Sequence, residues 1–108
     1  MAGSTITVTE YLLERLKAFN VRHVFSVPGD FIGDFLDVLE TVPGIERVST
    51  TNELEAGYAA DGYARQNGLS CLAVQYGVGT YSALNAVAGA ARERVPMVVV
   101  TGAPPAAL

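Results

Sequence analysis

Three short stretches of this sequence combine chemically able side chains with backbone that glycine leaves open: Val27-Pro28-Gly29-Asp30, Thr51-Asn52-Glu53 and Gln75-Tyr76-Gly77-Val78-Gly79. Together they offer two carboxylates, Asp30 and Glu53, one amide, Gln75, and exposed peptide groups. Carboxylates are suited to holding or passing a proton, and an amide to meeting a polar ligand. The surroundings of Glu53 are unusual in themselves. TNELEAGYAADGYAR (51–65) reads as a helix, yet Gly57 and Gly62 sit in its interior, each costing roughly 1 kcal/mol relative to alanine. So many small residues fill little core; something must approach this helix closely.

The flanking pattern says what positions these groups. Thr7 and Glu10 form a capping box ahead of a helix marked by Leu12, Leu16 and Phe19. A strand over 21–27 ends at Pro28-Gly29. A helix follows, with Phe31, Ile32, Phe35, Leu36 and Leu39 one turn apart, and Pro43-Gly44 stops it. A short strand over 45–50 leads to the small-residue helix of 52–65. A strand over 69–75 meets the Gly77-Val78-Gly79 turn. A helix over 80–92 carries Tyr81, Leu84, Val87 and Ala91 along one face, and the buried strand PMVVVTG (96–102) comes last. This alternation predicts an α/β fold: an open parallel sheet with right-handed crossovers and helices on both faces, strand order 2-1-3-4. In such a sheet ligands bind beyond the carboxyl ends of the strands. All three stretches fall there.

Bulk properties narrow the classes. The chain has 108 residues and a net charge of −4, which argues against a nucleic-acid partner. Charge is uneven: residues 1–55 hold nine Asp or Glu and four Lys or Arg, whereas 56–108 hold two and three. The second half is therefore either sheet core or covered by another surface. The lone Cys71, within the apolar run 69–74, excludes an internal disulfide and reads as a small buried residue. No signal peptide and no membrane span stand out, so a cytoplasmic protein is expected. The dinucleotide fingerprint fails in detail. A third glycine after Gly77-x-Gly79 would fall on Ser82, no acidic residue ends the strand 97–101, and no GxxxxGK[ST] occurs.

Four spaced motifs resemble one family. VPGD (27–30), NELxAxYAADGYAR (52–65), YGVGxxSALNAVAG (76–89) and VPMVVVTGAP (95–104) look like the N-terminal pyrimidine-binding domain of thiamine-diphosphate-dependent 2-oxo acid decarboxylases, closest to the pyruvate and indolepyruvate decarboxylase group. Acetohydroxyacid-type synthases resemble the chain less well, because they tend to carry Pro-Gly-Gly and Gly-Pro-Gly at the first and third stretches.

The resemblance implies roles. Glu53 takes the part of the glutamate that hydrogen-bonds a ring nitrogen of the cofactor's aminopyrimidine and promotes loss of the thiazolium C2 proton; a carboxylic acid withdrawn from water is suited to sharing that proton. Asp30 takes the part of the aspartate that handles protons on the substrate-derived intermediate, although its place also suits a cap for the helix 31–40. Pro28 and Gly29 join Glu53 in contacting the cofactor. Gln75 stands where relatives carry Thr or His and is expected to reach substrate. Ala56, Gly57, Ala59, Ala60 and Gly62 open the helix to a close neighbour, from a partner subunit or from the chain's own sheet. His23, Tyr58 and Tyr63 read as packing groups, and Glu55 has no role.

The family's diphosphate and Mg2+ ligands lie in a GDG-to-Asn motif of a C-terminal domain, and its His-His pair would fall beyond Leu108. The chain is accordingly expected to be a single N-terminal domain, 1–108, of a longer non-oxidative decarboxylase, binding no metal and inactive by itself. Its expected partners are a small 2-oxo acid and further copies of itself, as a homodimer or homotetramer. Two alternatives stand beside this: another thiamine-diphosphate enzyme, such as a carboligating synthase or a subunit of a two-chain decarboxylase, and a non-catalytic interaction domain.

Overall fold

Thr7 does what its neighbours require of it. Its hydroxyl accepts the Glu10 N–H at 3.1 Å while the Glu10 carboxylate accepts the Thr7 N–H at 2.8 Å, so two otherwise unpaired helix-end donors are satisfied. The computed structural model describes residues 5–106. In chain order these form α1 (Val8–Ala18), β1 (His23–Ser26), α2 (Gly33–Thr41), β2 (Glu46–Ser49), α3 (Glu53–Asn67), β3 (Ser70–Gln75), α4 (Val78–Arg92) and β4 (Met97–Gly102). The sheet is parallel throughout with the order β2-β1-β3-β4. The expected fold class and strand order both hold.

Alternation along the strands divides the core in two. On one side Val24, Cys71 and Ala73 pack with Leu13 and Leu16 of α1 and with Ile32, Phe35, Leu36 and Leu39 at and within α2. On the other, Phe25, Leu72 and Val74 meet Ala56 and Ala60 of α3 and Ala83 of α4. Leu13, Leu39 and Leu72 are almost wholly buried, each contributing roughly 1.5–3 kcal/mol of transfer free energy. Cys71 is buried, as expected, and burial pushes its thiol up to about 12.

Three local expectations change. Leu13 joins Leu16 in the core with Leu12 partly buried against them, whereas Phe19 is exposed and lies under the Arg15 guanidinium. α2 begins at Gly33 with Ile32 as its N-cap and no side-chain cap, so Asp30 does not cap it. α4 turns the other way from the stripe read in the sequence: Gly79, Ala83, Ala86 and Ala90 are buried, while Tyr81 and Leu84 stay 70% and 53% exposed. The reason is the distance between helices. A β-carbon at Gly57 would lie only 2.6 Å from that of Ala86, so α3 and α4 meet through small residues and exclude large ones. The close neighbour required by the helix 52–65 is thus α4 of the same chain.

Tyr63 fixes α3 to the far end of the sheet. Its hydroxyl oxygen accepts the Arg22 N–H at 2.9 Å and lies 3.4 Å from His23 Nδ1, and its ring meets Phe25 edge-on at 5.4 Å between centroids. His23 is half-buried beside it.

Candidate functional site

The strands end in step. Ser26 pairs with Ser49 and with Ala73, and Gln75 with Gly102, so the loops that follow all leave from one edge. The chain passes from β1 to β2 in one direction and then back across to β3 and β4 in the other. The crevice between β1 and β3 is therefore the point where connections diverge, which is where open parallel sheets bind ligands. Asp30 lies beyond β1 and Gln75 closes β3, flanking that crevice; Glu53 opens α3 beyond β2.

Glu53 is placed by a cap that leaves it free. Asn52 Oδ1 accepts the Glu55 N–H at 2.9 Å, and Glu55 Oε1 accepts the Thr51 N–H at 3.1 Å. The Thr50 hydroxyl donates to the Asn52 carbonyl at 2.7 Å. Glu55 therefore has a task the sequence did not disclose: it secures the start of α3 so that Glu53 need not. The half-buried Glu53 carboxylate instead reaches α4, where a β-carbon at Gly79 would lie 3.2 Å from its Oε2. Gly77 opens that turn with φ 71°, a left-handed conformation suited to glycine, and the Thr80 hydroxyl donates to the Gln75 carbonyl at 2.8 Å. Glycine at 79 thus makes the room in which the carboxylate sits.

The amide of Gln75 is engaged as well. Its Oε1 accepts the Phe31 N–H at 3.2 Å, and the same group packs on Gly29 with no space for a β-carbon. Asp30 is exposed between those two residues, next to exposed Pro28 and half-buried Gly29. Gly102 was not singled out in the sequence, yet a β-carbon there would collide with the Phe31 carbonyl. The available signal was a glycine ending an apolar strand, which marks close backbone approach. Among the described residues this edge encloses no cavity, and no three His, Cys, Asp or Glu side chains converge on a metal position.

The geometry suits one half of a ligand site, with an acid on one wall and an open front. A family model described as thiamine pyrophosphate enzyme, N-terminal TPP binding domain, matches residues 6–108. The chain belongs to this family. The N-terminal TPP binding domain is similar over 99 residues to an alpha-keto-acid decarboxylase of Mycobacterium leprae, at 52% identity, covering 92% of this chain and 17% of that protein. It is 50% identical over 101 residues to pyruvate decarboxylase isozyme 1 of Saccharomyces cerevisiae, covering 94% of this chain and 18% of the relative. The fold matches that of a benzoylformate decarboxylase from Polynucleobacter necessarius with a TM-score of 0.85, at 20% identity, over 95% of this chain and 19% of that one. The chain thus spans under one fifth of the length of these proteins.

Proposed function

We propose that this chain is the pyrimidine-binding domain of a longer thiamine-diphosphate-dependent enzyme that decarboxylates a 2-oxo acid without oxidation. The observation that carries this reading is the Glu53 carboxylate set against Gly79 at the diverging edge of the sheet, together with membership of the TPP-binding family. Glu53 fits an aminopyrimidine: it is half-buried, and its neighbouring backbone is cleared of side chain by Gly79. When bound, thiamine diphosphate supplies the electron sink that decarboxylation needs. Glu53 holds the proton shared with the ring nitrogen, Pro28 and Gly29 line the cofactor's approach, and exposed Asp30 exchanges protons with the substrate. Gln75 lies close enough to the crevice to meet that substrate with its amide nitrogen. The names of the relatives favour decarboxylation over a carboligating or purely structural role.

The diphosphate and Mg2+ are assigned in this reading to another domain of the whole enzyme. A second copy of the chain is the assigned cover for the apolar outer face of α3 and α4, where Tyr58, Val78, Tyr81 and Leu84 are all more than half exposed. No helix among the described residues is long and apolar enough to cross a membrane, and a cytoplasmic homodimer or homotetramer completes the reading. The test is release of CO2 from a panel of 2-oxo acids by the full-length enzyme. Release that requires both thiamine diphosphate and Mg2+, and that Asp30→Asn lowers without weakening cofactor binding, supports the proposal. Cofactor binding with no CO2 from any member of the panel refutes it.

A further inference from the structure

The turn that carries Asp30 is not self-supporting. α2 has no side-chain cap, and the turn's own closure is the Ile32 N–H donating to the Gly29 carbonyl at 3.2 Å. What holds it comes from across the crevice. Gln75 accepts the Phe31 N–H at 3.2 Å and presses its amide on Gly29. Gly102 brings its backbone against the Phe31 carbonyl. The Tyr76 N–H donates to the Gly102 carbonyl at 2.8 Å, and the Tyr76 ring meets Phe31 edge-on at 5.3 Å. The peptide of Phe31 is thereby gripped by the ends of β3 and β4 together.

We propose that Gln75 is a positioning residue, tying the Asp30 turn to the end of β3 across the crevice and so fixing where Asp30 meets the substrate. This rests on the reading of Asp30 as a proton-handling group. A donor at Phe31 needs an acceptor opposite it, so the amide oxygen is committed to the turn. Both N–H donors of Gln75 then remain for a ligand, which suits the carboxylate of a 2-oxo acid. Of the two residues expected at this place in relatives, threonine is two heavy atoms shorter than glutamine and carries no amide, whereas a histidine ring nitrogen has a similar reach.

The experiment uses the full-length protein with Gln75→Met, which keeps the length but removes the acceptor, and Gln75→Glu, which retains an acceptor oxygen. Amide hydrogen exchange in peptides spanning 27–33 is read without cofactor, and kcat, KM and cofactor affinity with it. Gln75→Met should speed exchange at Phe31 about tenfold, since one hydrogen bond is lost, and Gln75→Glu should restore slow exchange. Gln75→Met should also lower kcat with cofactor affinity unchanged, and this loss should vanish in an Asp30→Asn background, because the effect runs through Asp30. Wild-type exchange in Gln75→Met overturns the clasp. Faster exchange with unchanged kcat, or an equal loss in the Asp30→Asn background, overturns the positioning role. Should Gln75→Met fail to fold, Gly29→Ala displaces the amide from the other side and must give the same exchange and kcat changes. A wild-type enzyme that decarboxylates nothing would defeat the functional reading while leaving the exchange result to judge the clasp.

Discussion

Adding a single carbon at Gly79 separates the site from the fold. A β-carbon there would stand 3.2 Å from Glu53 Oε2, 3.5 Å from the Gln75 β-carbon and 3.7 Å from Glu53 Cγ. The last two are ordinary contacts; the first is a few tenths of an ångström too short. In Gly79→Ala the carboxylate must therefore retreat by about that much. Misplacing a catalytic group by about 1 Å can cost 10²-fold, so a shift of a few tenths predicts a fall in kcat of about threefold to tenfold. Stability should move the other way. Gly79 lies in the first turn of α4 without a left-handed backbone, and alanine is favoured over glycine in a helix by up to about 1 kcal/mol. Gly79→Val enlarges the intrusion and should cost about 10²-fold. The assay is initial-rate decarboxylation by the full-length enzyme, paired with its thermal midpoint. Full activity in Gly79→Val would refute the placement of Glu53, and activity lost only in step with stability would reduce Gly79 to packing.

Three further outcomes follow from the packing. Gly102→Ala should destabilise by about 3 kcal/mol or more, because its β-carbon strikes backbone at Phe31 and not a movable side chain; chemical denaturation measures this. Tyr63→Phe should cost about 1 kcal/mol, since the Arg22 N–H loses its acceptor, with kcat unchanged because the contact lies at the opposite end of α3 from Glu53. Burial raises the Cys71 thiol from 9.0 to about 12, so folding stability from this group is intact below pH 9 and declines as pH rises from there towards 12. A thiol reagent at pH 8 should accordingly label Cys71 only at the rate of unfolding.

The sequence disclosed the sheet because the central strand β3 is apolar over 71–74 and the elements are punctuated at Pro43-Gly44, after α2, and at Gly77, between β3 and α4. Glu53, Asp30 and Gln75 were legible for a topological reason: each follows or ends a strand, and strand ends in a parallel sheet share an edge. That something approaches α3 closely was legible from its small residues, but the identity of the neighbour was not. Gly57 reads as a glycine open to any neighbour, and only the structure shows that the neighbour is Ala86 of the same chain. Tyr81 and Leu84 misled because periodicity marks an apolar face without saying what covers it; the crowding at Gly57 leaves the core to Ala83 and Ala86. The clasp of Phe31 by Gln75 and Gly102 joins residues 44 and 71 positions apart (75 − 31 and 102 − 31), a relation that no local pattern encodes.

The central claim is that Glu53 serves the cofactor and not the fold. It is tested most directly by hydrogen exchange at C2 of thiamine diphosphate bound to the full-length enzyme carrying Glu53→Gln. The substitution keeps shape and polarity but removes the acid, and acid–base help of this kind is typically worth about 10²–10⁴-fold. Exchange slowed by that factor, with the thermal midpoint unchanged, is the predicted result. Exchange at the wild-type rate would contradict the account.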